Sequence, residues 1–438
     1  MRPYPAHAQP LAAAPWATLA CLALLAGCGG GGSSVEAAPA EMASAVATAV
    51  TPAPIAAPAV NATATTVTPT ATSTATAATP AASAATPATA AAMLTLDLAR
   101  LPDYTPVLPA SYDNAVAATD NTPATASRGN AVAALGRVLF HDRRLSINDT
   151  IACASCHQQA LGFGDSRRFS LGFAGGSTTA HAMRLGNVRY WQPANMFWDR
   201  RAATLEAQAT EPIRHPVEMG FTDAAAGLGA VTAKLQALTY YQELFTLAYG
   251  DANVTVARLQ TALAQFQRAM VSTASRWDAA YAQVYNPAAP DRGLGTPLPG
   301  FTVQENRGRQ LFVAAPPQGG LGCAACHQPP TFSLAANSRS NGLDAGETVL
   351  FKSPSLKNVA LSGAFMHDGR FASLEQVVDH YDRGIQDGPA LDDRLRTPQG
   401  QPRRLNLSAD DKAALVAFLR TLSDPALTTD NRFSSPFR

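Results

Sequence analysis

The chain has no run of charge of one sign. Its 438 residues hold 33 Lys and Arg against 32 Asp and Glu, a net charge of +1. The basic footprint of a nucleic-acid binder is therefore missing. Cysteine is scarce too, with only Cys21, Cys28, Cys153, Cys156, Cys323 and Cys326. Two fall near the N-terminus and four form two close pairs, which leaves none for a disulfide framework. The one long apolar run, residues 11–26, is broken by Pro15 and is short for a membrane span of about 20 residues. No stretch alternates cleanly enough to predict a sheet.

What the N-terminus does have is Arg2, that apolar run and "LAGC" at residues 25–28. Residues 1–27 read as a lipoprotein-type signal peptide, since "LAGC" resembles the bacterial lipobox, with Cys28 as the lipid anchor. Residues 28–96 are rich in Ala, Thr and Pro and poor in large apolar side chains, which predicts a disordered tether with a reach of roughly 45 Å. Together these predict an exported, periplasm-facing protein held to a membrane by a lipid.

The rest of the chain is a duplication. "GRVLF" at 136–140, "CASCH" at 153–157 and "ALAQFQR" at 262–268 recur in that order as "GRQLF" at 308–312, "CAACH" at 323–327 and "ALVAFLR" at 414–420. The flanking pieces have helical period: Leu259, Leu263, Phe266 and Met270 share one face, as do Leu415, Phe418, Leu419 and Leu422. The expectation is a mostly α protein of two tandem domains with long loops, 97–295 and 296–438.

Three ligands compete for a CxxCH pair. Structural zinc draws two CxxC pairs about 15–20 residues apart; here they lie 170 positions apart. A thioredoxin-like disulfide wants a strand before the motif and a helix after it, and neither is evident. Covalent haem wants two thioethers and an adjacent axial histidine. This favours two c-type haems, on Cys153, Cys156 and His157 and on Cys323, Cys326 and His327, so each domain reads as a c-type cytochrome domain.

Between the motifs, "FWDRRAATLEAQATEPIRHPVEMGF" at 197–221 resembles the bacterial dihaem cytochrome c peroxidases and the related MauG proteins, and the resemblance extends over about residues 131–424. It implies that Glu218 is the distal acid/base, Gln208 its hydrogen-bonding neighbour and Trp198 the residue between the haems. It further implies a peroxidatic first domain that reduces hydrogen peroxide to water and an electron-transfer second domain fed by a small exported cytochrome or copper protein. A MauG-like oxidation of a partner protein's side chains is the alternative, and a non-catalytic dihaem electron carrier the third.

Two positions depart from the peroxidase pattern. Where a histidine usually caps the first haem stands Phe173, with His181 either the nearest substitute or a satisfied pocket or core histidine; His181 also stands where the family usually has an asparagine that helps hold calcium, which puts that ion in doubt. The candidates for the sixth ligand of the second haem are Met366, the only methionine after the second motif, and His367, His380 and Tyr381. On a helix opened by Ser373, Tyr381 shares the apolar face of Leu374, Val377 and Val378, with His380 turned to the flank. A methionine fourteen residues after the histidine of the HDG turn is usual in the peroxidases, a tyrosine in MauG; Tyr381 is MauG-like by that count. Trp191 and Trp277 are candidate surface electron relays, with core packing the competing expectation.

Overall fold

The computed structural model describes residues 88–125, 129–193 and 195–438. The expected signal peptide, Cys28 and the tether through residue 87 lie outside the described residues. Packed structure begins earlier than the expected end of the tether at 96: Thr89 caps a short helix, Ala90–Met93, and Ala90, Leu94 and Leu96 are buried. Three apolar side chains within seven residues supply the burial that the Ala/Thr/Pro stretch before them lacks.

The duplicated motifs form two crossed helix pairs. Helix Asn130–His141 packs on Val256–Ala269, and helix Val303–Val313 on Ala409–Arg420. Each crossing is set by the glycine of GRxLF. A Cβ on Gly136 would stand 2.0 Å from the Ala262 carbonyl oxygen, and one on Gly308 would stand 1.9 Å from that of Ala414. Only glycine lets the backbones approach this closely. The periodic faces are where the spacing puts them: Leu259, Leu263, Phe266 and Met270 are at most 1% exposed, and Leu415, Phe418, Leu419 and Leu422 at most 7%.

The two main apolar clusters follow the helix pairs. One takes in Leu135, Leu139, Leu263 and Phe266 together with Leu427 and Phe433 from the C-terminal tail. The other gathers Phe312, Phe418 and Leu422 with Trp277. Among the described residues the strands are a single pair of two-residue segments, His327–Gln328 and Ser333–Leu334. Among the described residues no helix is long and apolar enough to cross a membrane.

The duplication goes further than the three motifs. Asn187 and Asn358, each at φ 62°, each open a single 3-10 turn, and their amides donate to Met270 O and Leu422 O at 2.9 and 3.0 Å. The halves also exchange reciprocal bonds: His181 N donates to His367 O at 2.8 Å, and Lys352 N to Trp198 O at 2.7 Å. Trp198 and His367 occupy equivalent turns, as do His181 and Lys352, so these contacts relate the halves by a local two-fold.

Candidate haem sites

Each CxxCH motif begins on a single helical turn, Cys153–Cys156 and Cys323–Ala325, that faces a cavity. The first cavity, about 60 Å³, is lined by Cys153, Cys156, His157, Gln208, Glu218 and Met219, among others. The second, about 500 Å³, is lined by Cys323, Cys326, His327, Met366 and Tyr381, and from the other half by Trp198. The second volume falls in the range of roughly 300–1,000 Å³ usual for cofactor pockets.

The donor chemistry fits haem in both. The four cysteines are unpaired, and burial pushes the thiols of Cys153 and Cys323 up to about 12 and that of Cys156 up to about 11. They are therefore poor thiolates, suited to a lasting thioether rather than to redox exchange. The histidines stand as neutral imidazoles, because burial lowers the pKa of both, His327 to about 4. His157 Nδ1 lies 3.0 Å from Phe163 O, which orients the ring and leaves Nε2 for a metal. Zinc does not fit. The only group of three or more His, Cys, Asp or Glu within common ligand reach among the described residues is Asp344, Glu347 and His367, with no cysteine in it.

Glu218 stands at the edge of the first cavity. Its carboxyl is about 30% exposed, and burial raises its pKa, opposed more weakly by His215 and then Arg201. His215 Nδ1 accepts the amides of Val217 and Glu218 at 3.3 Å and lies 3.6 Å from Glu218 Oε1. Gln208 reaches the same cavity from helix Leu205–Arg214, which Thr204 caps.

Phe173 does not line the first cavity among the described residues. It donates its amide to Glu218 O at 3.0 Å, with its ring over Gly220. Nor can His181 cap the first site as the sequence allowed. It lines the second cavity, with Nδ1 3.0 Å from Arg167 O and Nε2 3.4 Å from Ser362 Oγ. For calcium it offers no side-chain oxygen, the donor that ion requires.

Trp198 stands where the halves meet: its Nε1 donates to His181 O at 2.7 Å, and its ring centroid lies 6.4 Å from that of His367. Trp191 and Trp277 are 2% and 1% exposed. They are core residues and not surface relays.

Tyr381 and Met366 both reach the second cavity, and Asn341 touches both. Its Nδ2 lies 3.4 Å from Met366 Sδ. Burial drives the Tyr381 hydroxyl pKa well up, against a smaller opposing pull from a hydrogen bond with Asn341. His380 is turned away, its Nε2 3.1 Å from Asn341 O. The helix Leu374–Asp379 widens into a π turn, His380–Gly384, at this point, a distortion frequent at functional positions.

Sequence reasoning missed Asn341 and Lys352. Lys352, 2% exposed, holds the segment before Trp198 through Nζ bonds to Pro193 O (2.5 Å) and Asn195 O (3.0 Å). The signal for Lys352 was present in the repeat, since it aligns with His181; Asn341 lies in a loop with no repeat partner to mark it.

These paired haem-type cavities agree with the comparisons. The family model of di-haem cytochrome c peroxidases matches residues 130–286 and 305–428. The chain is 34% identical to methylamine utilization protein MauG of Methylorubrum extorquens, over 68% of this chain and 79% of that protein. It is 29% identical to cytochrome c551 peroxidase of Nitrosomonas europaea, over 67% and 80%. Among solved structures, a MauG-like protein associated with microbial copper homeostasis superposes with a TM-score of 0.59 at 29% identity, over 77% of this chain and 98% of that one. The chain belongs to the di-haem cytochrome c peroxidase family, and two haems are expected in it.

Proposed function

We propose that this chain is an exported dihaem oxidoreductase that reduces hydrogen peroxide to water at the site of Cys153, Cys156 and His157. A haem bound there through thioethers would supply the iron that takes peroxide and passes electrons to it. The carrying observation is Glu218, a carboxyl of raised pKa at the edge of that cavity. In this role it takes the proton of one peroxide oxygen and returns it to the other, which leaves as water. Gln208 orients the carboxyl and the incoming peroxide. Electrons come singly from a small exported cytochrome or copper protein through the site of Cys323, Cys326 and His327, past Trp198. Cys28 would tether the enzyme to a membrane through its lipid.

The test is Glu218→Gln. Peroxide turnover should fall roughly a hundredfold or more, with both haem spectra intact. An unchanged rate removes Glu218 from the mechanism.

A second reading, MauG-like use of peroxide to oxidise side chains of a partner protein, is favoured by Tyr381 at the second cavity. Rapid mixing of the fully oxidised protein with one equivalent of peroxide separates the two. A prompt spectral change without reductant supports the MauG-like reading; a reaction only after one haem is reduced supports the peroxidase.

A further inference from the structure

Three long cationic side chains buried between the helices invite comparison. Arg268 lies 2.5 Å from a Glu206 carboxylate oxygen and Lys357 Nζ 2.5 Å from one of Asp278. Arg184, 6% exposed, has no carboxylate partner among the described residues. Its guanidinium donates through Nη2 to Ser355 O at 3.3 Å, while its Nε is buried without any partner. Burial alone lowers its pKa, to about 10, with no neighbouring anion raising it. A buried cation left so poorly compensated is costly unless a ligand supplies the missing charge.

The side chain runs from one half to the other. Its stem passes Gly162 and Gly164, where an added Cβ would stand 3.8 Å from Arg184 Cδ and 3.0 Å from Cγ. These glycines flank Phe163, whose carbonyl faces His157 Nδ1 at 3.0 Å. Arg184 also lines the second cavity, with Cys323, Cys326 and His327. In the repeat the position equivalent to Arg184 is Ser355, so the first cavity receives no corresponding cation from the second half.

We propose that Arg184 is an anion-binding residue of the second cavity, lent by the first half, whose guanidinium pairs with a carboxylate of the ligand seated on Cys323, Cys326 and His327. Resting on the haem reading, the inference identifies that carboxylate as a haem propionate. The pair stabilises the reduced haem, because reduction adds a negative charge beside a fixed positive one.

The experiment is a spectroelectrochemical titration of the purified dihaem protein and of Arg184→Gln and Arg184→Lys, with the two haems told apart by their high-spin and low-spin resonance signals. In Arg184→Gln the reduction equilibrium of the second haem should fall tenfold or more, about 59 mV for one electron. Arg184→Lys should stay within threefold of the parent, and the first haem within threefold throughout. Arg184→Met keeps the stem beside Gly162 and Gly164 and reads the same loss should Arg184→Gln fail to fold. An unmoved second haem, or equal shifts in the Gln and Lys variants, overturns the inference while leaving the dihaem reading intact. A protein without c-type haem absorbance overturns both.

Discussion

The two halves carry the same ion pair in two settings. Arg268 and Glu206 in the first half correspond to Arg420 and Glu375 in the second. The first pair is 2% and 20% exposed, its arginine also bonded to Asn121, whereas the second is 64% and 56% exposed. Duplication has copied the helices and their partners, and the surroundings decide what each copy is worth.

The same lesson holds at the cavities. Helices Leu205–Arg214 and Leu374–Asp379 superpose in the repeat, each opened by a hydroxyl cap, Thr204 or Ser373. Gln208 then corresponds to Val377 and Pro212 to Tyr381, and all four line their respective cavities. One helix presents an amide and a ring that cannot ligate iron; the other presents an apolar wall and a phenol. In the proposed function the first half thereby keeps its site open for peroxide and the second closes its own for electron transfer.

The ion pairs offer the sharpest break. Glu206→Ala leaves Arg268 buried without its charge partner and should cost about 3–5 kcal/mol, whereas Glu375→Ala should cost under about 1 kcal/mol; denaturant unfolding of the two variants checks both. Equal losses would mean that burial does not separate the halves.

The helix crossings should behave alike instead. Gly136→Ala and Gly308→Ala each force a methyl against a carbonyl and should each destabilise by about 1–3 kcal/mol, again read from unfolding midpoints. At the second site, Tyr381→Met should raise the second haem's potential, since thioether ligation does so. A tenfold change in its reduction equilibrium, about 59 mV, is the expected scale, and an unmoved potential would pass the ligand role to Met366.

The smallest effect is on pH. Glu218 acts as base only when ionised, and its pKa is raised by burial. Peroxide turnover should therefore fall, about tenfold per unit, as pH drops through a value above the ordinary glutamate range near 4.3. Glu218→Gln should lack this limb.

Much of this scaffold was legible in the sequence. The helix faces followed from a period of 3.6, and the helix crossings were marked by GRxLF and ALxxFxR because close approach demands a glycine at a fixed place. The CxxCH sites were legible because thioether and axial ligands must be adjacent in the chain. Tyr381 was directed inward by the same periodicity, although the π turn was not visible, since widening a helix leaves no compositional mark. Of the two readings of His181, substitute cap on the first haem or satisfied pocket histidine, the structure shows the second. Its distance along the chain suited that cavity, but its backbone pairs with His367 and its ring faces the other half.

The sequence by itself therefore determined the family, the two CxxCH motifs where haem is expected and the mostly helical frame, because all three are written in local spacing. Only the tertiary structure decided which half each side chain serves. His181 and Arg184 belong to the first half in sequence and wall the second cavity in space. The reciprocal bonds across the local two-fold put them there, and such contacts between residues more than 150 positions apart have no local period to betray them.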